Sequence, residues 1–223
     1  MPDSWSERLW ADNVPIYDAI LDHPFLRGLS SGELPPDRFS YYLAQDAHYL
    51  RAYARALAVV GAKAPTHADT GMFTRHAAGT VEVELALHEA LLPRLGLASA
   101  DLDRIPVSAT TLGYTSFLLA TAYGGSFAEG LAAVLPCYWI YARVGAALVE
   151  RGSPDPRYRA WIDTYAGADF AEVVAEVLAL TDRVGARLGA DDEMRARRHF
   201  ATTARYEWMF WDAAWRLENW PLR

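Results

Sequence analysis

Apolar residues recur every three or four positions along almost the whole chain, and this period restricts the fold more than any other feature. From Phe39 the run Phe39, Tyr42, Leu43, Asp46, Tyr49, Leu50, Tyr53, Leu57, Val60 keeps helical spacing throughout. A strand would instead place alternate residues on one face. Near the other end, Phe200, Ala204, Glu207, Trp208, Trp211 and Trp215 follow the same rule. The interruptions are short: Ser30 to Pro36, Ala64 to Pro65, Leu97 to Pro106, Gly124 to Gly125, Gly152 to Pro156, Gly167 to Ala168, and Gly189 to Asp192. Several helix starts are signed. Pro35 and Pro36 suit a first turn, Ser126-Phe-Ala-Glu129 has capping-box form, and Asp169 precedes a segment with Glu172 three residues on. Helices of roughly 16 to 30 residues joined by short turns imply an all-α, antiparallel bundle-like fold.

No repeat, low-complexity tract or long linker divides the chain, so residues 1–223 read as a single domain. Apolar residues make up 52% of it, enough for one substantial core. A formal charge of −7 offers no basic field for a nucleic-acid backbone or an anionic membrane. Gly130 to Val149 reaches the length of a membrane span, yet Pro136, Tyr138, Tyr141 and Arg143 lie inside it, and the segment reads as a central buried helix. The N-terminus lacks a charged start followed by an apolar stretch, and one cysteine forms no internal disulfide, so the expected location is cytoplasmic.

Which polar groups interrupt the apolar faces then decides the chemistry. Asp46 sits mid-stripe among tyrosines; an ionised carboxylate there needs a partner, in a neighbouring helix or in a ligand. Glu207 is a second carboxylate on an apolar face, and a desolvated glutamate becomes a proton donor near neutral pH unless it is only a satisfied structural group. Cys137, the only cysteine, follows Pro136 in the most apolar segment, with Tyr141 four residues on; it is either inert packing or a nucleophile. Tyr114 and Tyr165 add aromatic groups that suit core filling or a flat-walled cavity.

Other constellations are incomplete. Glu84 and His88 have the spacing of a helical metal pair, but the further ligands such a site needs are missing, and the segment Phe170 to Leu188 holds no histidine. His23, before Pro24, reads as a cap or turn residue rather than a haem ligand. There is no glycine-rich nucleotide loop and no serine elbow, so no metal and no organic cofactor is expected.

Five segments in order, Leu21-Asp-His-Pro-Phe-Leu, Phe39-Ser-Tyr-Tyr-Leu-Ala-Gln-Asp46-Ala-His-Tyr49-Leu, Leu135-Pro-Cys137-Tyr-Trp-Ile-Tyr141, Trp161-Ile-Asp-Thr-Tyr165 and Tyr206-Glu207-Trp208-Met-Phe-Trp, together resemble the thiaminase II (TenA) family over essentially the whole chain. The cysteine places the resemblance in the family's cysteine-containing branch. The resemblance implies a haem-oxygenase-like helical fold without haem, a homotetramer, and hydrolysis at the methylene of a 4-amino-2-methylpyrimidine. Aminomethyl pyrimidine would give hydroxymethyl pyrimidine and ammonia, and thiamine would be split from its thiazole. It further implies Cys137 as nucleophile and Glu207 as proton donor to a ring nitrogen. Asp46 would accept from the exocyclic amino group, and Tyr49, Tyr114, Tyr141 and Tyr165 would line the ring, with Tyr165 bonded to Glu207. Thiolate addition to a ring carbon breaks the aromaticity and lets ring electrons expel the leaving group; water then adds and the thiolate departs. Two other functions use the same scaffold: an oxidase of the haem-oxygenase fold, and a non-enzymatic ligand sensor affecting gene expression.

Overall fold

The structure is a computed structural model that describes residues 4–91 and 104–222, with the side chains of residues 83–91 outside the described set. Glu84 and His88 therefore lie outside the described side chains, as does most of the break from Leu97. The described residues form ten helices and no strand: α1 Trp5–Ala11, α2 Val14–Leu21, α3 Pro24–Ser31, α4 Pro36–Ala62, α5 His67–Leu91, α6 Ala109–Gly124, α7 Phe127–Val149, α8 Pro156–Ala166, α9 Ala168–Gly185 and α10 Ala190–Arg216. The all-α architecture is the one the period dictates.

The first thirty residues depart from the expectation of long helices. Asn13 turns its amide back onto the Leu9 carbonyl, 2.8 Å away, and so uses an acceptor at the end of α1. Pro15 and Pro24, in the first turns of α2 and α3, lack the amide proton that would continue a preceding helix. Three short helices result. His23 is the N-cap of α3, its Nδ1 accepting from the Phe25 amide at 3.1 Å, which is the cap role its place before a proline suggests. The Ser126–Glu129 capping box at the start of α7 is complete. At α9 the sequence reading needs correction: Gly167 is the N-cap and makes no side-chain bond, while Asp169 already lies in the first turn, where its charge faces the positive helix end.

α7 is the centre of the molecule. It packs against α4, α6, α8, α9 and α10, its most extensive neighbour being α10. It is long and apolar enough to cross a membrane, but 67% of that stretch is buried inside this protein. α4 lies against α5, α6, α7 and α10, so the faces carrying Asp46, Cys137 and Glu207 converge on one core. That core also absorbs most of the tryptophans: Trp5, Trp139, Trp161 and Trp211 are buried, Trp10, Trp208 and Trp215 pack against it, and Trp220 is exposed.

Glycines set the closest approach. A Cβ on Gly145 of α7 would stand 2.5 Å from the backbone carbon of Tyr165 and 2.7 Å from the Ala166 nitrogen, so α8 can end against α7 only because that Cβ is missing.

Candidate active site

A cavity of about 820 Å³ opens between α4, α5, α7, α8 and α9. Its deep wall follows from helical spacing. Asp46, Tyr49, Leu50 and Tyr53 lie at successive turns of one α4 face, and Cys137, Tyr138 and Tyr141 come from α7. Tyr165, at the end of α8, and Phe170, in the first turn of α9, close a third side. The Tyr141 and Tyr165 rings lie 4.8 Å apart between centroids, and Tyr165 meets Phe170 edge-on at 5.4 Å. Of the seven residues singled out in the sequence, Asp46, Tyr49, Cys137, Tyr141 and Tyr165 line this cavity.

Tyr114 and Glu207 stand behind the wall. The Tyr114 ring packs against Tyr49 at 4.8 Å, and its hydroxyl donates to Glu207 Oε1 at 2.6 Å. The bond to Glu207 expected from Tyr165 is thus made by Tyr114, because α6 runs alongside α10 while Tyr165 faces the hydroxyl of Tyr42. Tyr42 in turn shares a hydrogen bond of 3.2 Å with Tyr141.

Electrostatics follow from burial. Glu207 is 1% exposed, and desolvation pushes its carboxyl up to about 8; the Tyr114 hydrogen bond opposes this and the nearby charge of Asp46 adds to it. The carboxyl is therefore mostly protonated at neutral pH, a stored proton in an apolar wall. Cys137 is partly exposed, and that exposed surface faces the cavity. Desolvation pushes its thiol well above its usual value, the Glu207 charge pushes further, and the Tyr49 and Tyr53 hydroxyls beside the sulfur ease it down. A resting thiol is the consequence. The buried Tyr49 hydroxyl lies between the Cys137 sulfur and the Tyr114 hydroxyl and makes no close hydrogen bond to a nitrogen or oxygen among the described residues.

Pro136 deprives α7 of one helical donor, and in the same turn the Val134 carbonyl takes a bond of 2.9 Å from the Tyr53 hydroxyl. That contact fixes α4 against α7 next to Cys137.

Beyond those residues the cavity takes in Tyr53, already part of the apolar stripe through Asp46, and Tyr138, His76 and Glu176, to which the sequence assigned no site role. Tyr53 lies seven positions after Asp46 on the same face and Tyr138 adjoins Cys137, so both were legible from spacing. His76 and Glu176 lie on α5 and α9 without a motif, and only their packing brings them to the cavity. Among the described residues, no three His, Cys, Asp or Glu side chains cluster as a metal-binding set.

Residues 10–217 match the TENA/THI-4/PQQC family. The chain is 36% identical over 198 residues to a protein of Bacillus subtilis strain 168 called aminopyrimidine aminohydrolase, covering 89% of this chain and 84% of that one. A protein of the same name from Halalkalibacterium halodurans is 34% identical, with 97% and 98% covered. Among solved structures, a TenA homologue protein from P. horikoshii OT3 superposes with a TM-score of 0.88 at 33% identity, covering 96% of this chain and 99% of that one. The fold alone is shared with a domain of heme oxygenase-like fold from Shewanella denitrificans OS217, at TM-score 0.74 and 17% identity over 94% of this chain and 91% of that one.

Proposed function

The chain belongs to the TENA/THI-4/PQQC family, and from that membership we propose how the cavity between α4, α7 and α8 performs the hydrolysis. The protein is a thiaminase II-type hydrolase that cleaves a carbon–nitrogen bond of an aminopyrimidine in thiamine salvage. The observation that carries the mechanism is that Cys137 and Asp46 line one aromatic cavity while the protonated Glu207 carboxyl lies directly behind its Tyr49–Tyr114 wall.

In this reading the flat pyrimidine slides between Tyr49, Tyr141 and Tyr165. Asp46 accepts from the exocyclic amino group, and Glu207, held by Tyr114, gives its proton to a ring nitrogen. As the sulfur of Cys137 bonds to a ring carbon the thiol proton refills Glu207, so that S–H adds across a ring carbon–nitrogen double bond, and both transfers reverse when the sulfur departs. The electron pair freed from the ring then breaks the bond between the methylene and the leaving nitrogen. Water forms the new carbon–oxygen bond at the methylene, the carbon–sulfur bond breaks, and the ring regains aromaticity. A low-polarity, water-poor wall strengthens each of these contacts. The Tyr49 hydroxyl beside the sulfur suits a polar edge of the substrate.

Two further parts of the proposal concern the whole protein. A mechanism that depends on one free thiol suits a reducing compartment, which supports a cytoplasmic location. A homotetramer is supported by family membership and by apolar side chains left outside, among them Leu112 and Tyr123 on α6 and Met209 on α10. Incubation with aminomethyl pyrimidine tests the function: the expected result is release of one ammonia per hydroxymethyl pyrimidine formed. Stable substrate and no ammonia would overturn it.

A further inference from the structure

One titratable cluster on the cavity wall has no role in the chemistry above. His76 of α5 shares its Nδ1 with the Tyr138 hydroxyl at 3.1 Å and its Nε2 with Glu176 Oε2 at 3.3 Å. His76 and Tyr138 are buried, Glu176 is about half exposed at the mouth, and all three line the same cavity as Cys137. A carboxylate can only accept, so Nε2 carries the proton and Nδ1 presents its lone pair to the Tyr138 O–H. The arrangement is hydroxyl, imidazole and carboxylate in line, with the hydroxyl at the inner end. Tyr138 is the residue after Cys137, and its ring lies 5.8 Å from that of Tyr53, whose hydroxyl stands beside the Cys137 sulfur. The Tyr138 hydroxyl, at the inner end of the line, interacts electrostatically with the Cys137 thiol.

We propose that Tyr138, His76 and Glu176 form the base that deprotonates the water completing the hydrolysis, with Tyr138 the group touching that water and the other two acting through it. The proposal rests on the function given above. Substrate enters as an ammonium and leaves as ammonia with the electron pair of the broken carbon–nitrogen bond, so that step needs no acid. The oxygen of water then bonds to the methylene carbon. Its proton passes to the Tyr138 oxygen as the Tyr138 proton passes to His76 Nδ1. The imidazolium, paired with the Glu176 carboxylate, releases a proton to solvent. Net, an ammonium and water give an alcohol, ammonia and a proton.

The charge around His76 suits this role. Arg75 on its own helix disfavours the imidazolium and Glu176 from α9 favours it. Tyr138 from α7 is the neutral partner, Tyr53 of α4 lies behind it, and Asp169 and Glu172 of α9 stand on the same cavity wall. Desolvation dominates and lowers the imidazole's pKa, leaving it neutral and able to accept a proton at pH 7.

The test is ammonia release by the full chain from aminomethyl pyrimidine between pH 5 and 9, in wild type and in Tyr138→Phe, His76→Gln and Glu176→Gln, with pre-steady-state sampling. Wild type should lose kcat on the acid side as His76 protonates. Tyr138→Phe and His76→Gln should lower kcat on the order of 10- to 100-fold with KM within about threefold, and flatten that limb. They should also release a burst of one ammonia per subunit before slow turnover, because ammonia leaves before water adds. Glu176→Gln removes a group that raises the His76 pKa, so its acid limb should move to lower pH. This half-exposed position tolerates the change, and it decides the matter if His76→Gln does not fold. Full turnover in Tyr138→Phe, or an unmoved limb in Glu176→Gln, would overturn the base while leaving the hydrolase intact. Wild type that releases no ammonia would end both.

Discussion

Burial raises the Glu207 carboxyl from an ordinary 4.5 to about 8, and the two consequences have opposite sign for function and for stability. For catalysis the proton is present at neutral pH and lost as pH rises through about 8, so kcat/KM should fall on the basic side near that value. For stability the folded pKa is raised, so the contribution of this group is fully present below pH 4.5 and is lost progressively as pH rises to about 8. Across that window the unfolded chain ionises and the folded chain does not, a loss on the order of several kcal/mol. Glu207→Gln removes the titration while keeping an acceptor for Tyr114. It should melt above wild type at pH 8.5 and nearer to it at pH 5, with turnover reduced on the order of 10²-fold or more. A variant whose melting temperature tracks wild type at both pH values would contradict the buried-acid account. At this scale the sequence was informative for charge among apolar neighbours: Asp46 and Glu207 stood out because a carboxylate on an apolar stripe needs a reason. It was uninformative for Tyr114 against Tyr165 as the partner of Glu207, because that choice depends on which helix lies beside α10.

Among the elements, α7 does most to build the site, since it carries Cys137, Tyr138 and Tyr141 and supports α8 through Gly145. Gly145→Ala would drive a methyl group into the Tyr165 and Ala166 backbone. It should cost about 1 to 3 kcal/mol of stability and displace the end of α8, raising KM several-fold because Tyr165 leaves the ring. Denaturant unfolding with steady-state kinetics checks this: unchanged stability and KM would show that the contact is not needed. The long helices were legible because each carries several turns of apolar periodicity and, for α7, a complete capping box. The first thirty residues were not, because a helix of seven or eight residues holds too few turns to show a period. Their boundaries depend on prolines and on Asn13, whose amide bonds backward rather than capping forward. The N-cap of α9 lies two residues before the cap expected at Asp169, since an acidic first-turn residue and an N-cap share the same residue types.

For the whole molecule, helix class and single core follow from period and apolar content, while the cavity does not. His76 and Glu176 meet only because α5 and α9 flank α7, and no spacing rule links residues 100 positions apart. The expected homotetramer also belongs to this scale. Light scattering at micromolar concentration should give about four times the chain mass of 24.8 kDa; a mass of one chain would contradict it and leave the α6 and α10 apolar residues facing solvent. The central claim, that Cys137 attacks the ring, is tested most directly by Cys137→Ser in the folded protein, comparing turnover of aminomethyl pyrimidine with binding of the same molecule by calorimetry. A serine oxygen fills nearly the same space and is far less nucleophilic toward a ring carbon. The account predicts affinity within a few-fold of wild type and turnover down roughly 10³-fold or more. A variant that binds and hydrolyses the substrate at near wild-type rate would contradict it, and the thiolate mechanism would fall.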